Sequence, residues 1–260
     1  MISALVLRTA GTNCERETAL ALERAGARAD TLHLDRLIKD PARFDEYAIL
    51  VLPGGFSYGD DVAAGRVFGQ ELRHFLGRSL SAFVGRGGFV LGVCNGFQAL
   101  VDTGLLEGPG RGGPERSIAL SANPSGHYEC RWVTLRSERS KCPWLEPGTL
   151  WPVPVAHGEG CLVFEDFATL ERLSANGQVA LRYVRPDGAP ASYPELPNGS
   201  TDAIAGLCDT TGRVLGLMPH PERNLTPWNH PRWTRMSPRE EGEGLAFYRR
   251  MVEVAAHGAS

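Results

Sequence analysis

The chain has 260 residues, of which 42% are hydrophobic and 22% are charged, and its formal net charge is −3. This composition is ordinary for a soluble globular protein, and a small negative charge without a basic block argues against nucleic acid as the main partner. No apolar run reaches the ~20 residues that a membrane span needs, and the N-terminal residues are expected to form a strand and not a signal peptide. Because no linker divides the sequence, a single domain over residues 1–260 is expected.

The cysteine pattern indicates thiols and not a disulfide framework. Disulfide frameworks belong to short secreted chains, and none of the cysteines forms a C-x-x-C pair that would favour structural zinc. The six cysteines are Cys14, Cys94, Cys130, Cys142, Cys161 and Cys208. A reducing cytoplasm, with most of these thiols buried as small apolar side chains, is therefore expected, and no metal site is predicted.

In the first half of the chain, short apolar runs alternate with helical patterns. The predicted elements are a strand at 3–8, a helix at 15–25, strands at 27–34 and 47–53, a helix broadly over 62–84, a strand at 88–93 and a helix from 95 to 102. This β-α-β-α order with nearly continuous apolar strands indicates an α/β fold, whose parallel sheet is covered by helices on both faces.

The second half predicts a mixed or antiparallel extension of the sheet. Its predicted strands lie at 130–137, 178–184, 203–209 and 214–219. The tetrapeptide "DTTG" at 209–212 is a hairpin signal between the last two strands, and the spacing from Leu245 to Ala255 predicts a closing helix. Segments 107–127 and 185–200, rich in Gly, Pro, Ser and Asn, are expected to be loops.

The stretch "GFVLGVCNGFQ" places Cys94 between Gly92 and Gly96, where a strand passes into a helix. This Gly-x-Cys-x-Gly arrangement has the pattern of a nucleophile elbow with cysteine in place of serine. Glycines permit the strained turn, and the helix N-terminus favours a thiolate. We therefore predict that Cys94 is a nucleophile, although a buried cysteine beside packing glycines remains an alternative.

An oxyanion hole is expected beside this cysteine. The backbone N–H of Asn95 would supply one donor, since it follows the nucleophile. The second donor is predicted to be the N–H of Gly55, in "LPGGFSYGD", where a glycine pair follows a strand. A glycine turn without a role is an alternative for this loop.

A cysteine nucleophile needs a base, and two histidines stand in an H-x-E arrangement. His220, in "MPHPER", follows a predicted strand and lies between two prolines that restrict its backbone, so it is favoured as the base with Glu222 as its orienting carboxylate. His157 with Glu159, in the glycine-rich "PVAHGEG", is the alternative. Cys14 also follows a strand but lacks flanking glycines, which disfavours it as the nucleophile.

Together, "GVCNGFQ" and "MPHPER" resemble the class I glutamine amidotransferases. The stretches "LPGGFSYGD", "PVAHGEG" and "PNGSTDAIAGLCDTTGRVLGLMPHPER" are more specific and resemble the glutaminase subunits of phosphoribosylformylglycinamidine synthases, enzymes of purine biosynthesis. The matching stretches span most of the chain, from about residue 5 to residue 223.

The resemblance implies a flavodoxin-like fold and a glutaminase that passes ammonia to a separate ATP-using synthetase subunit. Cys94, His220 and Glu222 would form the triad, Gly55 and Asn95 would donate to the oxyanion, and Gln98 would line the glutamine pocket. It also implies that this chain binds no cofactor, that ATP and magnesium belong to the synthetase, and that a small accessory subunit is a possible third partner. The "AHGEG" stretch is interpreted as part of the face that meets the synthetase.

The sequence departs from the family pattern at Asp61, where an aromatic residue often follows "SYGD", and segments 107–130 and 224–240 look long and polar. Three alternatives stay open. The chain could be a class I glutaminase serving a GMP or CTP synthase, a cysteine hydrolase or thioesterase of the same fold, or a binding module without catalysis.

Overall fold

The structure, a computed structural model, describes residues 1–108 and 116–258. Its strands are β1 (Ser3–Arg8), β2 (Arg28–His33), β3 (Ile49–Leu52), β4 (Phe89–Val93), β5 (Ile118–Ala122), β6 (Glu129–Ser137), β7 (Leu150–His157), β8 (Glu159–Phe164), β9 (Val179–Val184), β10 (Ile204–Cys208) and β11 (Val214–Leu217). Its α-helices are α1 (Glu15–Arg24), α2 (Leu34–Lys39), α3 (Arg66–Gly85), α4 (Asn95–Thr103), α5 (Phe167–Ala175) and α6 (Glu243–Gly258). None of these helices is long and apolar enough to cross a membrane.

Nine strands form one mixed sheet in the order β2-β1-β3-β4-β11-β10-β9-β6-β7. The five strands from β2 to β11 run parallel, and the strands from β11 to β7 are antiparallel neighbours. β5 and β8 form a separate antiparallel pair. The predicted flavodoxin-like α/β fold, a parallel centre with helices on its faces and an antiparallel extension, is confirmed.

Apolar sequence explains the parallel centre. Every residue of β3 (ILVL) and β4 (FVLGV) is buried, as expected for strands covered on both faces. Helices pack on the parallel strands, since α4 contacts β3 and β4, α3 contacts β4, and α1 contacts β1 and β2. The hairpin predicted at "DTTG" joins β10 to β11, with Gly212 N donating to Asp209 O at 3.1 Å.

The sequence analysis missed several strands. β7 carries Pro152 and Pro154 inside its run, and prolines ordinarily argue against a strand. They are tolerated because β7 is the last strand of the sheet, where one side lacks a strand partner. The loop expected over 107–127 contains β5, so that prediction was wrong there, and its residues 109–115 lie outside the described ranges. Residues 185–200 form neither a helix nor a strand of the sheet, as predicted.

Three loops that follow parallel strands lie at one edge of the sheet. β3, β4 and β11 are parallel neighbours, so the loops that follow Leu52, Val93 and Leu217 leave from the same edge. Open parallel sheets bind ligands outside this carboxyl edge. The three loops carry the residues that the sequence analysis singled out.

Substitution of Gly96 by alanine should destabilise the protein, because an added Cβ would collide with the backbone carbonyl of Leu52 in β3. We expect the free energy of unfolding to fall by roughly 1–3 kcal/mol, measured by chemical denaturation.

Gly77→Ala is the matched control, since Gly77 lies within α3 and an added Cβ there meets no atom within 4 Å. It should stabilise the helix by roughly 0.5–1 kcal/mol. Equal effects of the two substitutions would contradict the packing described here.

Candidate active site

Cys94 occupies the sharp turn between β4 and α4. Its backbone has φ +51° and ψ −109°, a conformation that a side-chain-bearing residue adopts only under strain. Backbone contacts on both sides fix the turn: Cys94 N donates to Leu217 O at 2.8 Å, and Cys94 O accepts from Phe97 N at 2.9 Å. The geometry is that of a nucleophile elbow, as the sequence pattern indicates.

Both glycines beside Cys94 are required by close packing. A Cβ on Gly92 would lie 2.7 Å from the carbonyl oxygen of Gly96, and one on Gly96 would overlap β3. Asn95 is the first residue of α4, so its N–H belongs to the helix N-terminus, whose donors lack intrahelical acceptors. The position agrees with the predicted oxyanion donor, and that role stays a prediction.

The loop after β3 brings Gly54 and Gly55 to the same edge. Gly55 has φ +141°, which favours glycine, and a Cβ there would lie 2.7 Å from Asn13 N. Phe56, and not Gly55, donates the N–H that bonds this loop to Gly11 O, at 3.0 Å. The backbone of Gly55 is thus held by its neighbours without using its own N–H in that bond, as an oxyanion donor requires; this role also stays a prediction.

His220 and Glu222 form a buried pair after β11. The His220 Nδ1 atom lies 2.6 Å from Glu222 Oε1, and both side chains are almost inaccessible to solvent. Burial alone lowers the pKa of His220, but the negative charges of Glu222 and of Cys94 outweigh burial and raise this pKa to about 10. The pair therefore favours the imidazolium at neutral pH.

Cys94 and His220 meet above Gly54. A Cβ built on Gly54 would lie 2.8 Å from His220 Cε1 and 3.1 Å from Cys14 Sγ, which is too close, and 3.5 Å from Cys94 Cβ, which is an ordinary contact. His220 and Cys94 therefore both border Gly54, and the glycine leaves room for the imidazole. The sulfur of Cys94 also lies 3.6 Å from the carbonyl oxygen of Ala156. The three predicted triad residues are thus brought together at this one edge of the sheet.

A tyrosine that the sequence analysis did not assign to the site supports this pair. Tyr248 of α6 is fully buried, and its hydroxyl donates to Glu222 Oε2 at 3.5 Å. Burial, and next the charge of Glu222, raise the pKa of Tyr248 far above its ordinary value, so the hydroxyl keeps its proton. Arg223 follows the pair in the chain, and its Nε donates to Glu17 Oε1 at 2.8 Å.

Cys14 lies behind Gly54 and has a different environment from Cys94. Its sulfur accepts a hydrogen bond from Arg223 Nη2 at 3.2 Å, and burial raises the pKa of its thiol. Donor atoms of Cys14, Glu17, His220 and Glu222 all lie within 4.8 Å of one another, as in a metal site. However, the guanidinium of Arg223 binds both Cys14 and Glu17 and supplies the positive charge there, so we assign no metal to this group.

A buried network ties the predicted glutamine-pocket residue Gln98 to the "AHGEG" stretch. Gln98 Nε2 donates to Glu159 O at 2.5 Å, and Gln98 Oε1 accepts from Asn95 Nδ2 at 3.1 Å. The same Asn95 amide group bonds the loop after β3, since Asn95 Oδ1 accepts from Ser57 N at 3.2 Å and Nδ2 donates to Asp60. The Asn95 side chain therefore links the loop after β3 to α4 beside Cys94, a role that its sequence position did not reveal.

His157 ends β7 and its ring is buried, being 3% exposed, whereas Gly158 and Glu159 are partly exposed. The interpretation of "AHGEG" as part of the face that meets the synthetase stays a prediction. Burial, and next the charge of His220, lower the pKa of His157 to about 4, so the ring is neutral. Glu159 is half-buried, and its Oε2 accepts from Ala64 N at 3.2 Å. The stretch contacts Ala64 after β3 and Gln98 in α4.

Comparisons with known proteins find relatives over nearly the whole chain. Residues 2–254 match the family described as the CobB/CobQ-like glutamine amidotransferase domain. The phosphoribosylformylglycinamidine synthase subunit PurQ of Dehalococcoides mccartyi is 42% identical over 256 residues, covering 98% of each chain. The PurQ subunit of Archaeoglobus fulgidus is 39% identical over 267 residues, covering 97% of this chain and 96% of that one.

Solved structures extend the comparison. The structure of PurLQS from Thermotoga maritima matches with a TM-score of 0.72 and 32% identity, covering 98% of this chain and 99% of that chain. A putative GMP synthase protein from Thermoplasma acidophilum matches with a TM-score of 0.57 at 12% identity, covering 99% of this chain and 96% of that chain. The second likeness concerns the fold alone.

Substitution of Glu222 by glutamine should lower the pKa of His220 from about 10 toward neutrality. The substitution removes the largest charge that favours the imidazolium, whereas burial continues to disfavour it. Titration of the ring nitrogens by NMR measures this pKa. Glu46→Gln, which alters only an exposed pair with Arg43, is the control and should leave the His220 value unchanged. A value still near 10 in Glu222→Gln would contradict the described pair.

Proposed function

We propose that Cys94, His220 and Glu222 form the catalytic triad of this chain, which belongs to the CobB/CobQ-like glutamine amidotransferase family and, within it, to the phosphoribosylformylglycinamidine synthase glutaminase subunits. Its reaction is the hydrolysis of glutamine to glutamate and ammonia. The observation that carries the proposal is the meeting of Cys94 and His220 over Gly54, with Glu222 bonded to the far side of the imidazole.

In the first step, the Cys94 thiolate attacks the side-chain amide carbon of glutamine and forms a C–S bond. Negative charge develops on the amide oxygen, where the N–H groups of Asn95 and Gly55 stabilise it. His220, protonated because Glu222 favours its charged form, gives its proton to the leaving nitrogen. The C–N bond breaks, and ammonia and a thioester result.

In the second step, His220 takes a proton from water, and the resulting nucleophile attacks the thioester carbon. The C–S bond then breaks, glutamate leaves, and Cys94 regains its thiolate beside a protonated His220. The same two donors stabilise the second oxyanion, and each contributes on the order of 3 kcal/mol to lowering the barrier. Glu222 holds the imidazole orientation throughout, as the carboxylate does in other triads.

Glutamine itself is placed by the pocket that begins at Gln98. The side chain of Gln98 lies one helical turn after the nucleophile and is held at both ends, by Asn95 and by Glu159 O. A held amide loses little conformational freedom when substrate binds, which favours affinity. The partial exposure of Asp60 and Glu159 next to this network gives the pocket a polar wall.

The ammonia passes to a separate synthetase subunit that uses ATP and magnesium to make phosphoribosylformylglycinamidine, and this chain needs no cofactor or metal of its own for the steps above. The PurLQS structure from Thermotoga maritima supports such an assembly, in which a small accessory protein is the third partner. The six cysteines are free thiols, which agrees with a cytoplasmic enzyme.

Mixing this chain with each candidate synthetase subunit distinguishes the alternative synthases. A glutaminase that serves a GMP or CTP synthase would gain activity when mixed with that synthetase, and the likeness to the Thermoplasma acidophilum protein at 12% identity does not favour this pairing over the purine one. We expect the increase with a phosphoribosylformylglycinamidine synthetase subunit.

Cys94→Ala should abolish glutamine-dependent synthesis in the assembled enzyme, whereas free ammonia should still support synthesis at the parental rate. The substitution removes the nucleophile but leaves the synthetase site untouched. Product formation with each nitrogen source measures both activities.

Cys208→Ala is the matched control, since Cys208 is also buried but lies in β10, with its sulfur near Gly177 O and away from the triad. It should retain both activities. Loss of the ammonia-dependent activity in Cys94→Ala would contradict the division of labour between the subunits.

A glutamine analogue that carries an alkylating group should label Cys94 faster than the other five thiols, because binding places the reactive carbon beside this sulfur. Peptide mass mapping after brief exposure identifies the labelled residue, and excess glutamine should slow the labelling. A hydrolase of another specificity would ignore the analogue, and a binding module would show no preference for Cys94.

A further inference from the structure

His157 is a buried imidazole whose nitrogens lack protein partners. It is 3% exposed, and neither Nδ1 nor Nε2 makes a hydrogen bond to any residue in the described ranges. A neutral imidazole carries one donor and one acceptor, and buried polar groups are almost always paired, with protein or with a small bound molecule. The unpaired ring nitrogens therefore indicate that a small molecule, and not a protein group, binds the ring.

The end of β7 places this ring beside the catalytic pair. Pro154 O accepts from His220 N at 2.9 Å, and Ala156 O lies 3.6 Å from the sulfur of Cys94, so the residues just before His157 contact both catalytic residues. The Nε2 atom of His220 is likewise buried without a hydrogen-bond partner among the described residues. The positive charge of the His220 ring is close enough to His157 to lower the pKa of His157.

The ring of His157 is fixed in place on one side by Gly160. A Cβ on Gly160 would lie 2.5 Å from both Cε1 and Nδ1 of the ring, so the imidazole packs directly on the glycine backbone. Gly160 is itself held, because its carbonyl oxygen accepts from Asn198 Nδ2 at 2.7 Å. A ring positioned this firmly can orient a bound molecule.

The proposed reaction indicates which small molecule binds the His157 ring. The proposed glutaminase handles two small neutral molecules that both donate and accept hydrogen bonds, and these are ammonia and water. They share one position, because His220 protonates the leaving nitrogen in the first step and takes a proton from the attacking water in the second. With a pKa of about 4, His157 stays neutral at physiological pH, so it holds either molecule without protonating it.

We propose that His157 is a further catalytic residue, which together with His220 binds first the departing ammonia and then the water that attacks the thioester. This inference rests on the proposed function. His157 contributes hydrogen bonds only: the proton of the water goes to His220 Nε2, the C–O bond forms, and the electron pair of the broken C–S bond returns to Cys94. Its effect is largest in the second step, because the attacking water must be held and oriented.

The test uses His157→Phe in the assembled enzyme with its synthetase subunit, followed by rapid quenching. Ammonia release reports formation of the thioester, and glutamate release reports its hydrolysis. We expect hydrolysis to slow by at least roughly tenfold, the effect of losing one oriented hydrogen bond, while thioester formation changes by less than about threefold. The thioester then accumulates on Cys94, and kcat and KM for glutamine fall together.

Two further variants make the test specific. His157→Asn, which keeps a donor and an acceptor, should recover part of the hydrolysis rate, and His157→Leu should repeat the loss if the phenylalanine variant does not fold. Thermal unfolding and co-purification with the synthetase subunit confirm the folded state of each variant. An unchanged rate of thioester hydrolysis in a folded His157→Phe or His157→Leu enzyme would overturn the inference.

Parallel losses in both steps would also overturn it, because they indicate that His157 only supports the position of Cys94 or His220. The result is separable from the proposed function itself. If Cys94→Ala keeps glutamine-dependent synthesis, the glutaminase assignment fails; if Cys94→Ala loses it while the His157 variants hydrolyse the thioester normally, only the role of His157 fails.

Discussion

The contact between Cys94 and His220 over Gly54 is the constraint on which the rest of the structure depends. The two side chains come from different loops, and they meet only because β3, β4 and β11 are parallel neighbours that end at one edge of the sheet. Glu222 adds a buried charge that outweighs the burial of the imidazole. Because a buried charge without its partner is strongly unfavourable, this pair requires the close surroundings that α6 and β7 provide.

The antiparallel half of the sheet has a functional purpose in this arrangement. It carries β7, whose end passes the sulfur of Cys94 and bonds the backbone of His220. The "AHGEG" stretch at its end holds Gln98 and contains the buried His157. The antiparallel extension thus covers the site at the carboxyl edge of the parallel strands. Excluding water from a site strengthens the electrostatic effects within it.

Much of this site is visible in the sequence, and the remainder is hidden for physical reasons. Glycines around Cys94 and prolines around His220 are local signals, so the sharp turn at Cys94 and the position of His220 beside it can be predicted. Tyr248 cannot, because only the packing of α6 brings its hydroxyl to Glu222. The prolines of β7 conceal an edge strand, and the interior position of His157 depends on that strand. Cys14 follows β1, a parallel strand ending at the same edge, which is a signal that could have placed it near the site.

The central claim is that Cys94 and His220 act as one unit, and it is tested most directly by a double-mutant cycle on glutamine hydrolysis in the assembled enzyme. Turnover is compared among the parent, Cys94→Ala, His220→Ala and the double variant, with the thermal unfolding of each variant as the reference for folding. The account predicts that the double variant is no slower than the slower single variant, since either substitution alone disables the unit. Losses that multiply would show two independent contributions and would contradict it.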